Sequence, residues 1–406
     1  MCSGLAKNGK RMTAVRQLKL GVVGYGNRGV IGQRAALADG NASVVAILDP
    51  SQHGHDRARA QLGPDVEIHE DLEGFCGSGI DAAFVTSPDH LHADQAEFLL
   101  RAGIPTFVDK PLAITVDGAD RVLRAAYDTG TPLYVGHNMR HMPVIKLMKE
   151  IVDSGRIGTV KAIWCRYFVG DGGDRFFKDW HAQRRHVNSL LLQKGAHDID
   201  IIHWLAGGYT DRVTAMGGLT VYGDVPDRAG QRDESLVTDW LDRERNWPPQ
   251  NNPGLHPDID VEDISMMTMR LDNGVFATYQ ECHYTPDYWR NYTIIGTEGR
   301  IENFGLGEDG VVRVWDRRTV FKEHGDEEIP IPKVEGGHYG ADPALLAEFL
   351  LFVREGIMTA TSPVAARAAV AAAAGATTSL RSGGEPQAIH PLPTDIRNYF
   401  DRGQVR

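Results

Sequence analysis

The sequence predicts an α/β protein in two parts, a doubly wound parallel sheet followed by an α/β unit with an open, largely antiparallel sheet. Three observations carry that expectation. Over the first 140 residues, short β-branched apolar runs alternate with amphipathic stretches, the rhythm of β-α-β units. Beyond them, segments alternate apolar and polar residues, as in strands with one face covered. A chain of 406 residues also exceeds one domain, at about 150 residues each.

The apolar runs of the first part are 18–24 (LKLGVVG), 43–49 (SVVAILD), 81–87 (DAAFVTS), 105–110 (PTFVDK) and 132–137 (PLYVGH). Each is short and nearly free of charge, as in strands covered on both faces. Helical patterns lie between them, among them 93–101 and 118–127. The second part opens with a helix over 144–153 and a strand over 160–168. A loop rich in Gly, Asp and aromatic residues (169–188) follows, then a continuous helix over about 189–205. Segments 211–221, 264–271, 275–282, 292–296 and 311–316 read as an antiparallel meander, with Asp272-Asn273-Gly274 as a hairpin turn. Two helices close the chain, 343–353 and 363–380, each opened by a proline. The expected domains are 18–140 and 141–406, with 223–262 an irregular, proline-bearing insertion. Residues 1–17 read as a disordered extension, with Met12 an alternative start.

Hydrophobic residues at 42% and charged residues at 24% describe an ordinary globular chain rather than a disordered one. A net charge of −11 argues against nucleic acid or an anionic membrane as principal partner, because phosphate repels it. No apolar run reaches the roughly 18 residues that span a bilayer. The closest, 365–374, carries Arg367. Cys2, Cys76, Cys165 and Cys282 fall at no CxxC or zinc-like spacing, so neither a disulfide framework nor a structural zinc is expected. The basic N-terminus lacks the apolar stretch of a signal peptide, which makes the cytoplasm the expected compartment.

Gly24-Tyr25-Gly26-Asn27-Arg28-Gly29 is a G-x-G-x-x-G loop between the first apolar run and a helix. The first glycine permits a tight turn, the second lets backbone amides approach a pyrophosphate, and the third lets helix and strand pack closely. The N-terminus of the helix then faces the diphosphate charge. Alone, such a loop is equally an ordinary glycine turn. Asp49, 20 residues beyond Gly29 at the end of the next run, is the acid that would bind an adenosine ribose diol. Together they predict a Rossmann dinucleotide site. A carboxylate at 49 repels a 2′-phosphate, and Pro50, Ser51 and Gln52 follow it rather than Arg or Lys, so NAD is expected over NADP.

Asp109-Lys110-Pro111 ends the fourth run, at the carboxyl edge where ligands of open α/β sheets bind. Lys110 is either an ordinary solvated lysine or a partly desolvated base beside a nicotinamide cation, able to take a proton from a substrate hydroxyl. Further on, Lys194 and His197 stand i,i+3, and Gln193 and His197 i,i+4, on one helical face. That stripe either lines a cleft or is bland, with Lys194 paired to Asp198 and His197 a satisfied core histidine. No metal site is expected of His197, Asp198 and Asp200, since adjacent helical residues face apart and no third ligand group is evident.

In this order, the glycine loop, Asp109-Lys110-Pro111 and His197-Asp198-Ile199-Asp200 resemble the glucose–fructose oxidoreductase / inositol dehydrogenase / MocA (Gfo/Idh/MocA) family, from Lys19 to about Leu380. Segments 86–96 (TSPDHLHADQA), 108–115 (VDKPLAIT), 136–143 (GHNMRHMP) and 292–303 (YTIIGTEGRIEN) are similar to it as well. The resemblance implies an open sheet that mediates dimers or tetramers, and hydride transfer at a secondary alcohol of a sugar, inositol or related polyol. It implies that Gly24, Tyr25, Gly26, Asn27, Arg28, Gly29 and Asp49 hold NAD, and that Ser87, Pro88, His90 and Asp109 line its nicotinamide half. Lys110 and His197 would be catalytic. Two positions depart from the pattern. Asp109 replaces the usual Glu, and Gln193 stands where inositol-dehydrogenase-like members carry Asp. A neutral amide cannot polarise His197 as a carboxylate would, so Lys194 joins the candidates for acid/base. Arg140, Arg166, Trp180, His181, Gln193, Tyr284 and His338 are the expected substrate contacts, with His141, His283 and Trp289 nearby in sequence.

The leading expectation is an NAD-dependent dehydrogenase of a cyclic polyol, monosaccharide or glycoside. The alternatives are an NAD-retaining, redox-neutral glycosidase or lyase acting through a transient keto-sugar, and a non-catalytic NAD-binding regulator.

Overall fold

Six short strands, β1 (Leu18–Val23), β2 (Ala42–Leu48), β3 (Glu67–His69), β4 (Ala82–Val85), β5 (Thr106–Val108) and β6 (Leu133–Val135), form a parallel sheet in the order 3-2-1-4-5-6. They belong to a computed structural model that describes residues 16–228 and 240–405. Every residue of β4, β5 and β6 is buried, which is why these strands read as plain apolar runs. The strand order reverses between β1 and β4, and ligands of such sheets bind beyond the carboxyl ends at that point. β3, short and part polar, carries no such signal.

One face of this sheet is completed from far along the chain. Helix Ala341–Glu355 returns to it, and Phe349 packs its ring 5.0 Å from Phe84 and 5.4 Å from Phe107, centroid to centroid. Leu345, Leu346, Phe349 and Phe352 share one buried cluster with Phe84, Phe107 and Tyr134.

The second sheet has nine strands: β7 (Val160–Phe168), β8 (Thr210–Gly218), β9 (Ile264–Leu271), β10 (Phe276–Cys282), β11 (Trp289–Gly296), β12 (Arg300–Phe304), β13 (Val311–Trp315), β14 (Glu327–Pro330) and β15 (Gln387–Ala388). Their order is 14-13-12-11-7-10-9-8-15. The central β7–β10 pair is parallel and the remaining pairs are antiparallel, so this is a meander opened by one parallel insertion. Helices Gly195–Ala206 and Pro363–Arg381 cover the inner face. On the outer face Trp164, Met216, Met266 and Phe276 are exposed.

Three expectations need correction. The helix expected over 189–205 is two pieces, Leu190–Gln193 and Gly195–Ala206, parted at Lys194. Just past the break the chain runs close to β10, where a Cβ on Gly195 would sit 2.9 Å from the Tyr279 ring. A third helix, Thr394–Asp401, closes the chain; its few apolar positions, Ile396, Tyr399 and Phe400, are too short a pattern to read. Arg16, placed in a disordered extension, pairs with Asp81, and its carbonyl accepts from Arg354 at 3.2 Å. The rest of that extension, with Cys2 and Met12, lies outside the described residues, as do 229–239 of the expected insertion. Among the described residues, no helix is long and apolar enough to cross a membrane.

Candidate active site

The glycine loop leaves β1 at Gly24, whose φ is +83° and whose added Cβ would lie 2.5 Å from the Ser87 backbone. A Cβ on Gly29 would lie 2.6 Å from the Cα of Tyr25, the close approach the third glycine serves. Gly26 differs: it is exposed, and nothing lies within 4 Å of where its Cβ would be. Asn27 beside it is exposed too, and no side chain caps helix Val30–Asp39. Open backbone next to an uncapped helix N-terminus is the cradle a diphosphate requires. Asp49, at the end of β2, holds the loop in place: Tyr25 N donates to its Oδ2 (2.7 Å), and Ser51 N and Oγ donate to its Oδ1 (2.9 and 2.7 Å). These residues fit a dinucleotide, with the Tyr25 ring buried beneath and its hydroxyl donating to Gln61 at 3.2 Å.

The turn after β4 closes the other side. Thr86 Oγ1 donates to the Gly24 carbonyl (2.7 Å), and Ser87 Oγ donates to Gln95 (2.5 Å). His92 Nε2 bonds the Ser87 carbonyl at 2.9 Å. After Pro88, Asp89 is buried with one carboxylate oxygen unpartnered among the described residues, and burial pushes its carboxyl up. The His90 ring meets His186 of the second part at 4.5 Å.

Arg28 spans the crevice. Its Nε donates to Asp109 Oδ2 at 2.7 Å, and Nη1 lies 3.6 Å from Asp342. Burial alone would raise the Asp109 carboxyl, but the Arg28 guanidinium outweighs it and holds the group below the usual carboxylate range. Asp109 Oδ1 also accepts the backbone N–H of Lys110 at 3.0 Å, so the side chain of Lys110 projects from a pinned backbone joined to Pro111 by a cis bond.

Lys110 crosses to the second part. Its Nζ donates to the Gln193 carbonyl at 3.0 Å, one helical turn before His197. Lys194 lies with its ammonium 4.6 Å from the Phe176 ring centroid, and no ion pair to it occurs among the described residues. Burial pushes Lys110 down, opposed by Asp89 and Asp109. Burial lowers Lys194 well below the usual lysine range, and Lys110 and Arg290 lower it further. His197 is pushed well below the imidazole range by burial and by the same two cations. Its Nδ1 and the Gln193 Oε1 are buried without a partner among the described residues, an unmet demand for hydrogen bonds at this cleft. Two amines and one neutral imidazole gathered at the carboxyl edge of a nucleotide sheet can receive a proton from a hydroxyl.

Residues 18–137 match the model of the Gfo/Idh/MocA oxidoreductase family, NAD-binding Rossmann fold, and residues 145–302 match that family's C-terminal domain. The chain belongs to the Gfo/Idh/MocA family. This Gfo/Idh/MocA protein is thus an NAD-binding oxidoreductase. It is 26% identical over 310 residues to YteT of Bacillus subtilis (strain 168), covering 67% of this chain and 72% of that one. It is 31% identical over 192 residues to inositol 2-dehydrogenase 2 of Saccharopolyspora erythraea, covering 47% of this chain but 54% of the relative. Levoglucosan dehydrogenase, solved with NADH and L-sorbose, superposes with a TM-score of 0.74 at 20% identity, over 92% of this chain and 99% of that one. At that identity the likeness concerns the fold. Against inositol dehydrogenases the chain spans about half the length of the relatives it matches.

In this Gfo/Idh/MocA chain several expected contacts lie elsewhere. Arg166 points to the outer face of the second sheet, because Cys165 and Tyr167 take the inner positions and strand neighbours alternate; it donates to Asn291 at 3.1 Å. Tyr284 has the outer parity as well, its hydroxyl accepting from Thr220 Oγ1 at 3.2 Å, while His283 turns inward against Phe176 and Phe177. Arg140 is buried and committed to Asp200 and the Ala360 carbonyl. His338 is exposed and sits against Asp342 at 2.8 Å. The alternative in which Lys194 pairs with Asp198 on the surface does not hold: Asp198 is wholly buried, bonded by the Tyr292 hydroxyl and 3.1 Å from Arg290.

Trp180 and His181 remain beside the cleft, their rings stacked at 3.7 Å, with His181 edge-on to Phe176 at 5.5 Å. Phe176, Asp89 and Arg290 were not foreseen. Phe176 lies within the aromatic loop, so its type was visible but its position was not. Asp89 stood in plain view within Ser87-Pro88-Asp89-His90.

Proposed function

We propose that this protein exchanges hydride between NAD and a secondary hydroxyl of a sugar, glycoside or inositol-like cyclic polyol, with Lys110 and His197 handling the proton. The observation that supports this most directly is the 3.0 Å bond from Lys110 Nζ to the Gln193 carbonyl, which brings the first part's amine to the helix turn preceding His197. Bound NAD supplies the hydride acceptor, held at Gly24, Gly26, Gly29 and Asp49. Lys110, lowered by burial, takes the hydroxyl proton at Nζ. His197, also lowered by burial, presents an unpartnered Nδ1 to receive or share it. Lys194, its ammonium against the Phe176 ring, orients the substrate. The stacked Trp180 and His181 exclude water and face the apolar side of a ring. Relatives named as inositol 2-dehydrogenases support the substrate class.

The test is NADH absorbance on a panel of inositols, aldoses and glycosides, with Lys110→Met alongside. Lys110→Met should lower kcat by about 10²–10⁴-fold with NAD affinity little changed. Absence of turnover on every polyol by protein that binds NAD would sink the reading. The exposed outer sheet face, bearing Trp164, Met216, Met266 and Phe276, supports self-association into a dimer or tetramer through that face.

A further inference from the structure

The irregular stretch 240–252 has no part in the chemistry described so far, yet it walls a cavity. With 170–174 and 286–288 it encloses about 310 Å³, at the small end of the roughly 300–1,000 Å³ of small-ligand pockets and suited to one ring. Two aromatic side chains line it while keeping much of their surface free, Trp247 at 40% and Tyr288 at 49% exposure. Asn252, only 3% exposed, has an Oδ1 with no partner among the described residues. Gly173 keeps the floor flat, since a Cβ there would strike Asn252 Nδ2 at 2.4 Å and the Tyr222 hydroxyl at 2.6 Å.

Of the four acids in the wall, Asp171 pairs with Arg175 at 2.8 Å and Asp174 with Lys178 at 2.9 Å, while Asp242 and Asp287 are exposed and Asp242 Oδ1 accepts from Arg245 N at 2.9 Å. Aromatic faces, amides and carboxylate acceptors are the surroundings of an uncharged, hydroxyl-rich ring. The cavity lies across one short helix from the cleft: Gly172–Phe176 presents Gly173 and Asp174 to the cavity and Phe176 to the Lys194 ammonium.

We propose that this cavity is a second sugar subsite, so that the preferred substrate is a glycoside whose neighbouring ring lies against Trp247 while its other ring lies at Lys110 and His197. The placement of the other ring at Lys110 and His197 rests on the oxidoreductase reading; the subsite itself does not. The experiment titrates the full chain, with NADH present, by calorimetry against glucose, galactose and mannose and against cellobiose, maltose, lactose, gentiobiose and mannobiose. At least one disaccharide should bind about tenfold or more tighter than its component monosaccharides. Trp247→Ala should abolish that advantage and leave monosaccharide affinity unchanged. Arg243→Ala, at a side chain 78% exposed on which no packing depends, should reduce it severalfold and guards against a folding defect in the tryptophan variant. The proposal is overturned if no disaccharide exceeds its monosaccharides, or if the advantage survives both variants. NADH formation from NAD is read on the same sugars. Selective disaccharide binding without any NADH would leave the subsite standing and defeat the hydride-transfer reading instead.

Discussion

Replacing Asp200 by Asn breaks the joint that fixes the His197 helix to the first part. Arg140, in the turn after β6, and Asp200 are both buried and meet through two hydrogen bonds, Nε to Oδ2 at 2.8 Å and Nη2 to Oδ1 at 2.7 Å. His137 Nδ1 lies 3.2 Å from the same carboxylate, and the His137 ring is 6.3 Å from that of His197. Asparagine keeps the volume but turns one acceptor into a donor facing the guanidinium, and it strands a buried cation. Removing one partner of such a pair costs about 3–5 kcal/mol. At about 2–4 °C per kcal/mol for a unit of 150–250 residues, the melting temperature should fall by about 6–20 °C. Scanning calorimetry of Asp200→Asn, Arg140→Met and the double variant Arg140→Met/Asp200→Asn reads this out. The double variant should lose less than the two singles together, because it leaves no charge unpaired. Burial would raise the Asp200 carboxyl, yet Arg140 and His137 hold it far below the usual range. With the folded value below the unfolded one, the pair stabilises fully above about pH 3.9 and is lost as pH falls through the folded value. Asp200→Asn melting within about 2 °C of the wild type at pH 7 would refute the reasoning.

Three further outcomes are expected. Gly26→Val fills the open cradle, so the Kd for NAD should rise by about tenfold or more while the melting temperature without nucleotide stays put; unchanged NAD titrations would remove Gly26 from the site. Burial lowers His203 to about 4, and its Nε2 accepts from Thr210 N at 3.2 Å, so the ring is neutral when folded. The unfolded ring takes up its proton near about pH 6.5, so stability should fall between about pH 6.5 and 4 by up to roughly 3 kcal/mol and then level off. His203→Gln should flatten that stretch of the melting curve, and identical slopes would contradict the assignment. If the proposed self-association uses the outer sheet face, Phe276→Glu should shift the sedimentation coefficient toward a smaller species without loss of helix content, and an unaltered distribution would refute that proposal.

Five strands of the first sheet were legible because they are short apolar runs largely covered by the layers around them, whereas β3, short and part polar, was not. Thr86 and Ser87 were legible as a segment, whereas the bond from Thr86 to the Gly24 carbonyl joins strands 62 positions apart and has no local sign. Strand parity misled at Arg166 and Tyr284: chemistry suited to a sugar was visible, but which face each residue takes depends on where the strand begins. The helix stripe was half right. Its spacing put Lys194 near His197, yet the break at Lys194 was not foreseen, and the glycine that follows it packs against Tyr279, a residue 84 positions away. Phe176 and Arg290 reach the cleft only through tertiary packing, and no local pattern marks either.

Helix Ala341–Glu355 has a consequence for biosynthesis. The aromatic face of the nucleotide sheet is capped by side chains that leave the ribosome long after it does: Tyr134 donates its hydroxyl to Glu348, 214 positions on, at 2.6 Å. Gln404 then clamps the sheet's outermost strand, its amide bonding Leu133 N at 2.8 Å and Leu133 O at 2.7 Å. The half of the molecule translated first is therefore the half finished last. Nascent chains expose Phe84, Phe107 and Tyr134 until residues 341–355 emerge, a window in which chaperones and proteases compete for them.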